Sequence, residues 1–308
     1  MDVQVIIQVM LKLFFILILG FILNKVGILD THTNIKISSL IAKVTAPFLI
    51  IASSLSASTQ NRIQVLIILG AGFLMYIGFI LFGKLIVLLC HFPKQDRPVY
   101  ECMLVFSNNA FMGYPVLQSI LGMGAVFYSS MLHFSFNIFA YTYAVLCFAK
   151  ADNNNKQKLQ WKKLVNPGFV LTIIAFFIFV SGYRINGFVY DTIYMVGNVT
   201  APLSMMLLGS TLALYPLKES LLDWHCYAFS SLRLLVLPVL SFAICKLLGV
   251  NDYMTSIVTI TNGMPVAALI MMIANEYHAD TRLLIRNIVV STALSVVTIP
   301  IVVSLLLT

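Results

Sequence analysis

Apolar residues fall in long, unbroken blocks along this chain, with no period-two alternation. Ten blocks, at roughly 4–24, 35–56, 63–90, 99–121, 125–149, 165–183, 189–214, 224–248, 253–275 and 284–306, are separated by short polar stretches. An α-helix needs about 20 mostly apolar residues to cross a bilayer. A spanning segment must satisfy its own backbone hydrogen bonds, so these blocks are predicted to be helices, numbered 1 to 10 here, and not barrel strands. The first block is not expected to be a cleaved leader. It is too long, no basic stretch precedes it, and no small-residue cleavage site follows.

Composition sharpens this picture. Of the 308 residues, 60% are hydrophobic and 10% charged. A soluble domain carries about 25% charged residues, so a soluble enzyme or nucleic-acid binder is excluded. The net charge of +8 reports topology. The loops after helices 1, 3, 5, 7 and 9 hold Lys25, Lys36, Lys94, Arg97, Lys150, Lys156, Lys158, Lys162, Lys163, Lys218 and Arg282, with Arg286 just beyond; the other loops and termini show only Arg62 and Arg184 clearly outside helices. Basic loops stay cytoplasmic. Both termini are therefore predicted on the opposite side, and the linker 150–164, with its Asn153, Asn154 and Asn155, in the cytoplasm. It divides the chain into a first unit, 1–149, and a second, 165–308, of five helices each.

The two units share local sequence. Val44-Thr45-Ala46-Pro47 in helix 2 matches Val199-Thr200-Ala201-Pro202 in helix 7, and Gly113-Tyr114-Pro115-Val116 in helix 4 parallels Gly263-Met264-Pro265-Val266 in helix 9. Pro202 follows Pro47 by 155 positions and Pro265 follows Pro115 by 150. Five helices per unit place the second copy upside down, the inverted repeat of secondary transporters. An interior proline removes a helical hydrogen bond and clashes with the preceding turn. Helices 4 and 9 are therefore expected to break at Gly113–Pro115 and Gly263–Pro265, near mid-membrane. Ser107, Asn108 and Asn109 precede one break, and Thr259, Thr261 and Asn262 the other. Such groups can bind a polar solute, and half-helix N-termini favour an anion. The bland alternative is a pair of proline kinks packed against polar side chains, with no ligand.

These motifs resemble the auxin efflux carrier family, which includes plant PIN-formed auxin carriers and bacterial malate or malonate permeases. Asn24-Lys25-Val26-Gly27-Ile28-Leu29-Asp30 is similar to its first loop, and Asn108-Asn109-Ala110-Phe111-Met112-Gly113-Tyr114-Pro115 to its Asn-Thr-x-x-Met-Gly-x-Pro signature. Asn109 stands where threonine is usual. Asn166-Pro167, Thr200-Ala201-Pro202 followed by Gly209-Ser210-Thr211-Leu212, Arg233 with Pro238, Pro265, Ser291-Thr292 and Pro300 extend the resemblance over nearly the whole chain. It implies scaffold helices 1, 2, 6 and 7, often a homodimer interface, and transport helices 3–5 and 8–10. Helices 4 and 9 would cross at the site, as in sodium/proton antiporters and bile-acid symporters, and transport would proceed by elevator-like or rocking alternating access. The family's helix-4 asparagine falls on Asn108, and its crossover prolines on Pro115 and Pro265.

Ionisable residues inside a membrane are functional candidates. Arg233 lies about nine residues, or roughly 14 Å, into helix 8. It can attract a substrate carboxylate, or serve a structural pair with Glu101 or with helix-end carbonyls. His133 and Asn137 lie four apart on one helix face; they can face the site, with His133 titrating near neutral pH, or form a buried hydrogen-bonded pair. The candidate substrate-binding set is Asn108, Asn109, Gly113, Pro115, Asn137, Thr261, Asn262, Gly263, Pro265 and Arg233. Thr45, Pro47, Thr200 and Pro202 are scaffold-side candidates, and His133 and Glu101 coupling candidates. Lys12 and Lys43 can snorkel.

No metal or cofactor is expected: the five cysteines and five histidines show no ligand spacing, and no phosphate loop occurs. The expected activity is secondary active transport of a small organic anion, such as malate, another dicarboxylate or an auxin-like carboxylate, in a bacterial cytoplasmic membrane. Its expected partners are the anion, the lipid bilayer and a second copy, with no nucleic acid. The alternatives are a sodium-coupled organic anion symporter and a non-transporting membrane sensor. No convincing catalytic constellation supports an intramembrane enzyme, and no pair of intramembrane acids supports a dedicated sodium/proton antiporter. Labelling of Lys156→Cys and Thr308→Cys variants should place these positions on opposite faces; labelling from the same compartment would exclude the inverted arrangement.

Overall fold

The computed structural model describes residues 3–56, 62–94, 96–151, 167–215, 222–276 and 281–307; the predicted linker from residue 152 onward, Lys218 and Thr308 lie outside them. The apolar blocks become helices. α1 is Val3–Lys25; α2 (Thr31–Leu40) runs through a wide π turn, Ile41–Thr45, into α3 (Ala46–Ser56); α4 is Arg62–Leu89. α5 (Arg97–Val105) is separated from the π turn Asn109–Gly113 and α6 (Tyr114–Leu121), and α7 (Met123–Phe139) continues through Ala140–Ala144 into α8 (Val145–Ala151). Further along the chain α9 is Pro167–Ser181, and α10 (Phe188–Asn198) bends at Val199 into α11 (Thr200–Ala213). α12 (Trp224–Ser231) passes through the π turn Leu232–Val236 into α13 (Leu237–Leu247), followed by α14 (Asp252–Asn262), α15 (Ala268–Glu276) and α16 (Arg282–Leu306).

Seven of these helical stretches are long and apolar enough to cross a membrane: those within α1, α2–α3, α4, α7–α8, α10–α11, α12–α13 and α16. α9 is apolar but shorter. The blocks at 99–121 and 253–275 are each two short helices with a non-helical stretch between them. The exterior is apolar, with Phe15, Leu74, Leu81, Phe177 and Leu247 exposed, while serines such as Ser53, Ser129 and Ser210 are buried. Such a surface suits lipid as its solvent.

Local chemistry sets the ends. The Asp30 carboxylate accepts the Thr33 N–H at 2.7 Å to cap α2; the Thr33 hydroxyl first, and then that N–H, hold its carboxyl below the usual range. Asn251 caps α14 in the same way through Met254 N–H at 2.9 Å. Gly122, at φ 84°, makes the reversal between α6 and α7, a backbone conformation open to glycine at little cost. Three π turns end two residues before a proline: Ile41–Thr45 before Pro47, Asn109–Gly113 before Pro115, and Leu232–Val236 before Pro238. The wider turn gives the ring room and shifts the hydrogen-bond ladder past the missing N–H.

Packing follows two patterns. α1 lies along α11, and α3 packs against α9 and α10. These seams are glycine contacts: a Cβ on Gly20 would strike the Met206 carbonyl, one on Gly209 the Leu17 carbonyl, and one on Gly197 the backbone of Leu49. A polar chain closes one end, with Asn24 donating to Ser210 at 3.1 Å, Ser210 to Asn34 at 2.8 Å, and Lys25 Nζ to the Ala213 carbonyl at 2.9 Å. Elsewhere α4 packs on α5 and α7, α13 on α14, and α12 on α16. Gln118 of α6 donates to Asn198 at the end of α10, at 2.6 Å.

Close glycine seams generate a stability prediction. Gly20→Ala and Gly209→Ala should each lower the melting temperature of the detergent-purified protein, through strain of about 1–3 kcal/mol or more. Gly70→Ala, where an added Cβ meets nothing within 4 Å, should be neutral or slightly stabilising.

Candidate functional site

The two non-helical stretches, Phe106–Asn108 and Gly263–Ala267, meet each other in the interior. Asn108 N–H donates to the Pro265 carbonyl at 2.8 Å, and Ala267 N–H to the Phe106 carbonyl at 3.1 Å, which makes Ser107 and Val266 an isolated antiparallel bridge. Every buried backbone donor and acceptor needs a partner, and here two interrupted helices serve each other. Several neighbouring groups are met locally. Val266 N–H reaches the Ser291 hydroxyl at 3.3 Å, and the Asn108 carbonyl accepts from Met112 and Gly113 N–H at 3.3 and 3.1 Å.

The first break corrects the sequence expectation. It opens at Phe106–Asn108, upstream of Gly113–Pro115, because the π turn absorbs Pro115 in the first turn of α6. The second opens around Pro265, as expected.

Arg233 stands beside the second break, fully buried, and its Nη1 donates to the Asn262 carbonyl at 3.0 Å. A cation at the carbonyl end of α14 opposes the negative end of the helix dipole. Glu101 is not its partner: that carboxylate accepts the Tyr143 hydroxyl at 2.6 Å. Asn262 Nδ2 in turn donates to Ser241 Oγ at 2.9 Å and contacts Met75 Sδ at 3.2 Å.

The other predicted residues are mostly buried. Asn109 is fully buried, and neither amide atom has a hydrogen-bond partner. Asn108 is buried in the bridge itself. Gly113 ends the π turn, where an added Cβ would sit 3.5 Å from Met264 Cγ. The Thr261 hydroxyl lies 3.4 Å from that of Ser129 on α7. Thr45 and Thr200 are buried with unpartnered hydroxyls, in the first turns leading to Pro47 and Pro202. α11 touches the Asn109–Gly113 turn, and Phe111 packs on Ile41, Ala46 and Leu207.

His133 and Asn137 do not hydrogen-bond to each other. The His133 ring stacks on Phe136, with centroids 4.5 Å apart, and meets the Tyr114 ring edge-on at 5.9 Å. Asn137 is buried in α7. Sequence reasoning missed Tyr76, whose fully buried ring packs on Phe106, Phe136 and Phe139 at centroid distances of 6.1, 6.2 and 5.7 Å. One signal was available: between Gln64 and Lys84, Tyr76 is the one side chain that can hydrogen-bond. Ser241 was also missed, since a lone serine in an apolar helix ordinarily bonds its own backbone.

A family model described as membrane transport protein matches residues 5–303. The chain is similar to an uncharacterized transporter of Methanocaldococcus jannaschii, 26% identical over 313 residues, covering 95% of this chain and 96% of that protein. It is also similar to an uncharacterized transporter of Methanothermobacter thermautotrophicus, 25% identical over 300 residues with the same two coverages, 95% and 96%.

Asn262 and Ser241 should be energetically coupled. Ser241→Ala strands the Asn262 amide and should cost about 1–3 kcal/mol, measured by denaturation in detergent. Against Asn262→Ala, the double variant should show a coupling of about 0.5–3 kcal/mol; simple additivity would rule out the contact.

Proposed function

Because the chain belongs to the membrane transport protein family, which takes in the auxin efflux carriers, we propose that it is a secondary active transporter of a small organic anion, a dicarboxylate such as malate or an auxin-like carboxylate. It is an integral membrane protein, and its family and relatives are transporters, not enzymes.

The observation that carries this reading is the pairing of two interrupted helices at a buried centre that also holds Arg233. Irregular backbone at membrane depth is tolerated where it lines a solute site or lies inside protein. Asn108, Asn109, Gly113 and Pro115 from one break, and Thr261, Asn262, Gly263 and Pro265 from the other, would bind the anion. The start of α6 presents the positive end of its dipole to it.

Alternating access would be elevator-like. The glycine seams between α1 and α11 and between α3 and α10 support a rigid scaffold of the first, second, sixth and seventh predicted helices. Gln118 bonded to Asn198 would then be a contact that breaks during the movement. Similar packing of equivalent helices, with α1 on α11 in one sense and α9 on α3 in the other, supports the inverted repeat. Apolar scaffold faces would meet lipid or a second copy.

Anion entry against an inside-negative potential costs about 2.3 kcal/mol per charge per 100 mV. Glu101 is held by the Tyr143 hydroxyl, which supports uniport or exchange, or proton entry on the substrate or through His133, over a carboxylate relay. Uptake into proteoliposomes, screened over carboxylates with separate proton, sodium and potential gradients, tests this. Carboxylate counterflow without sodium is expected, with coupling retained in Glu101→Gln and the proton dependence of His133→Gln compared with it. Asn108→Ala and Asn262→Ala should weaken substrate binding by about 1–3 kcal/mol while the protein stays folded. A strict sodium requirement, or unchanged binding in both variants, would overturn the assignment.

A further inference from the structure

Three buried side chains near the bridge carry polar atoms that the protein leaves unpartnered. Arg233 uses Nη1 on the Asn262 carbonyl, but its Nε and Nη2 have no acceptor. The Tyr76 hydroxyl and both amide atoms of Asn109 are also without a hydrogen-bond partner. These groups converge on the two breaks: the Tyr76 ring packs on Phe106, three residues before Asn109, and Met75, next to Tyr76, contacts the side-chain amide of Asn262, whose main-chain carbonyl takes Arg233 Nη1. They come from three elements, α4, the turn after the first break, and the π turn between α12 and α13. π turns are often found at functional sites.

Charge makes this arrangement unusual. Arg233 is a buried guanidinium, it stays protonated, and no carboxylate pairs with it among the described residues. A buried charge left uncompensated is destabilising by several kcal/mol, and an anion of matching geometry removes that penalty. The open donors fit one such anion. Nε and Nη2 form the side-on edge of the guanidinium, two parallel N–H groups that match the two oxygens of a carboxylate. Tyr76 Oη and Asn109 Nδ2 add donors for its remaining lone pairs. Phe106, Phe136 and Phe139 around Tyr76 exclude water and strengthen each of these bonds.

We propose that Arg233, Tyr76 and Asn109 form an occluded subsite for a single carboxylate group, the charged end of the transported anion. The subsite deepens the transport reading and rests on it for the identity of the anion. It names Tyr76 as a binding residue. It also gives Asn109, at a position where threonine is usual in the resembling family, a role in orienting the carboxylate. Because Arg233 holds the end of α14 through Nη1, occupancy of its other edge bears directly on the second break.

The test is the melting temperature of the full-length protein in detergent, titrated with acetate, malate and benzoate, with chloride at equal ionic strength as the competing small anion. At least one carboxylate should stabilise the wild type well beyond chloride. Arg233→Gln, which keeps an amide N–H for the Asn262 carbonyl, should abolish that stabilisation. Tyr76→Phe and Asn109→Thr should shift the titration to about tenfold higher concentration, and Arg233→Lys should retain part of it. If Arg233→Gln does not fold, Tyr76→Phe and Asn109→Thr decide the matter. The proposal is overturned if no carboxylate stabilises the wild type, if chloride does so equally, or if Tyr76→Phe and Asn109→Thr titrate like the wild type. Liposome uptake separates the two readings. Carboxylate transport with unchanged KM in Tyr76→Phe and Asn109→Thr sinks the subsite alone. Wild-type protein that binds carboxylate at this edge but moves none sinks the transport reading alone.

Discussion

A peptide group inside an apolar medium must find a hydrogen-bond partner in the protein, because water cannot supply one and each orphan costs several kcal/mol. The meeting of the two helix breaks answers that constraint. Asn108 and Ala267 donate across to Pro265 and Phe106, while Val266 N–H and the Asn262 carbonyl are met by Ser291 and Arg233. Each break thus relies on the other for backbone hydrogen-bond partners. The two halves of the chain are therefore joined by backbone pairing as well as by side-chain packing.

The same constraint explains how the prolines are housed. Pro47, Pro115 and Pro238 each follow a π turn at the same distance. A helix that widens by one residue per turn can pass a proline without an orphaned carbonyl, so these three helices continue instead of breaking. Pro265 is treated differently. It lies in open chain and offers its carbonyl to the facing strand, a role that needs no N–H. One residue type thus yields a continuous helix or a break, according to what the neighbouring segment can satisfy.

Packing divides the molecule by chemistry. Along α1, α3, α10 and α11 the contacts are backbone to backbone through Gly20, Gly197 and Gly209, a mode that leaves no room for substitution and favours rigidity. Around the breaks the contacts are polar, and several are incomplete, as at Thr259, Asn109 and Tyr76. Incomplete satisfaction is destabilising in a folded core, and it persists where a ligand or a second conformation completes it.

Block length and hydropathy determine a helical membrane protein, because each spanning helix satisfies itself and depends on nothing distant. Charge counts in the loops and the paired Thr-Ala-Pro and Gly-x-Pro motifs were equally local signals. They led to Asn108, Asn262, Pro265 and Arg233, which the fold brings to one centre. What the sequence could not determine were partners. Glu101 turned to Tyr143 instead of Arg233, and Asn262 to Ser241. The first break opened seven residues ahead of Pro115, at Ser107–Asn108. Tyr76 joined the site from a helix that reads as almost uniformly apolar. Each of these outcomes depends on which element lies across a gap of three or four ångströms. That distance is set by how far helices distant in sequence can approach, so only the tertiary structure decides it.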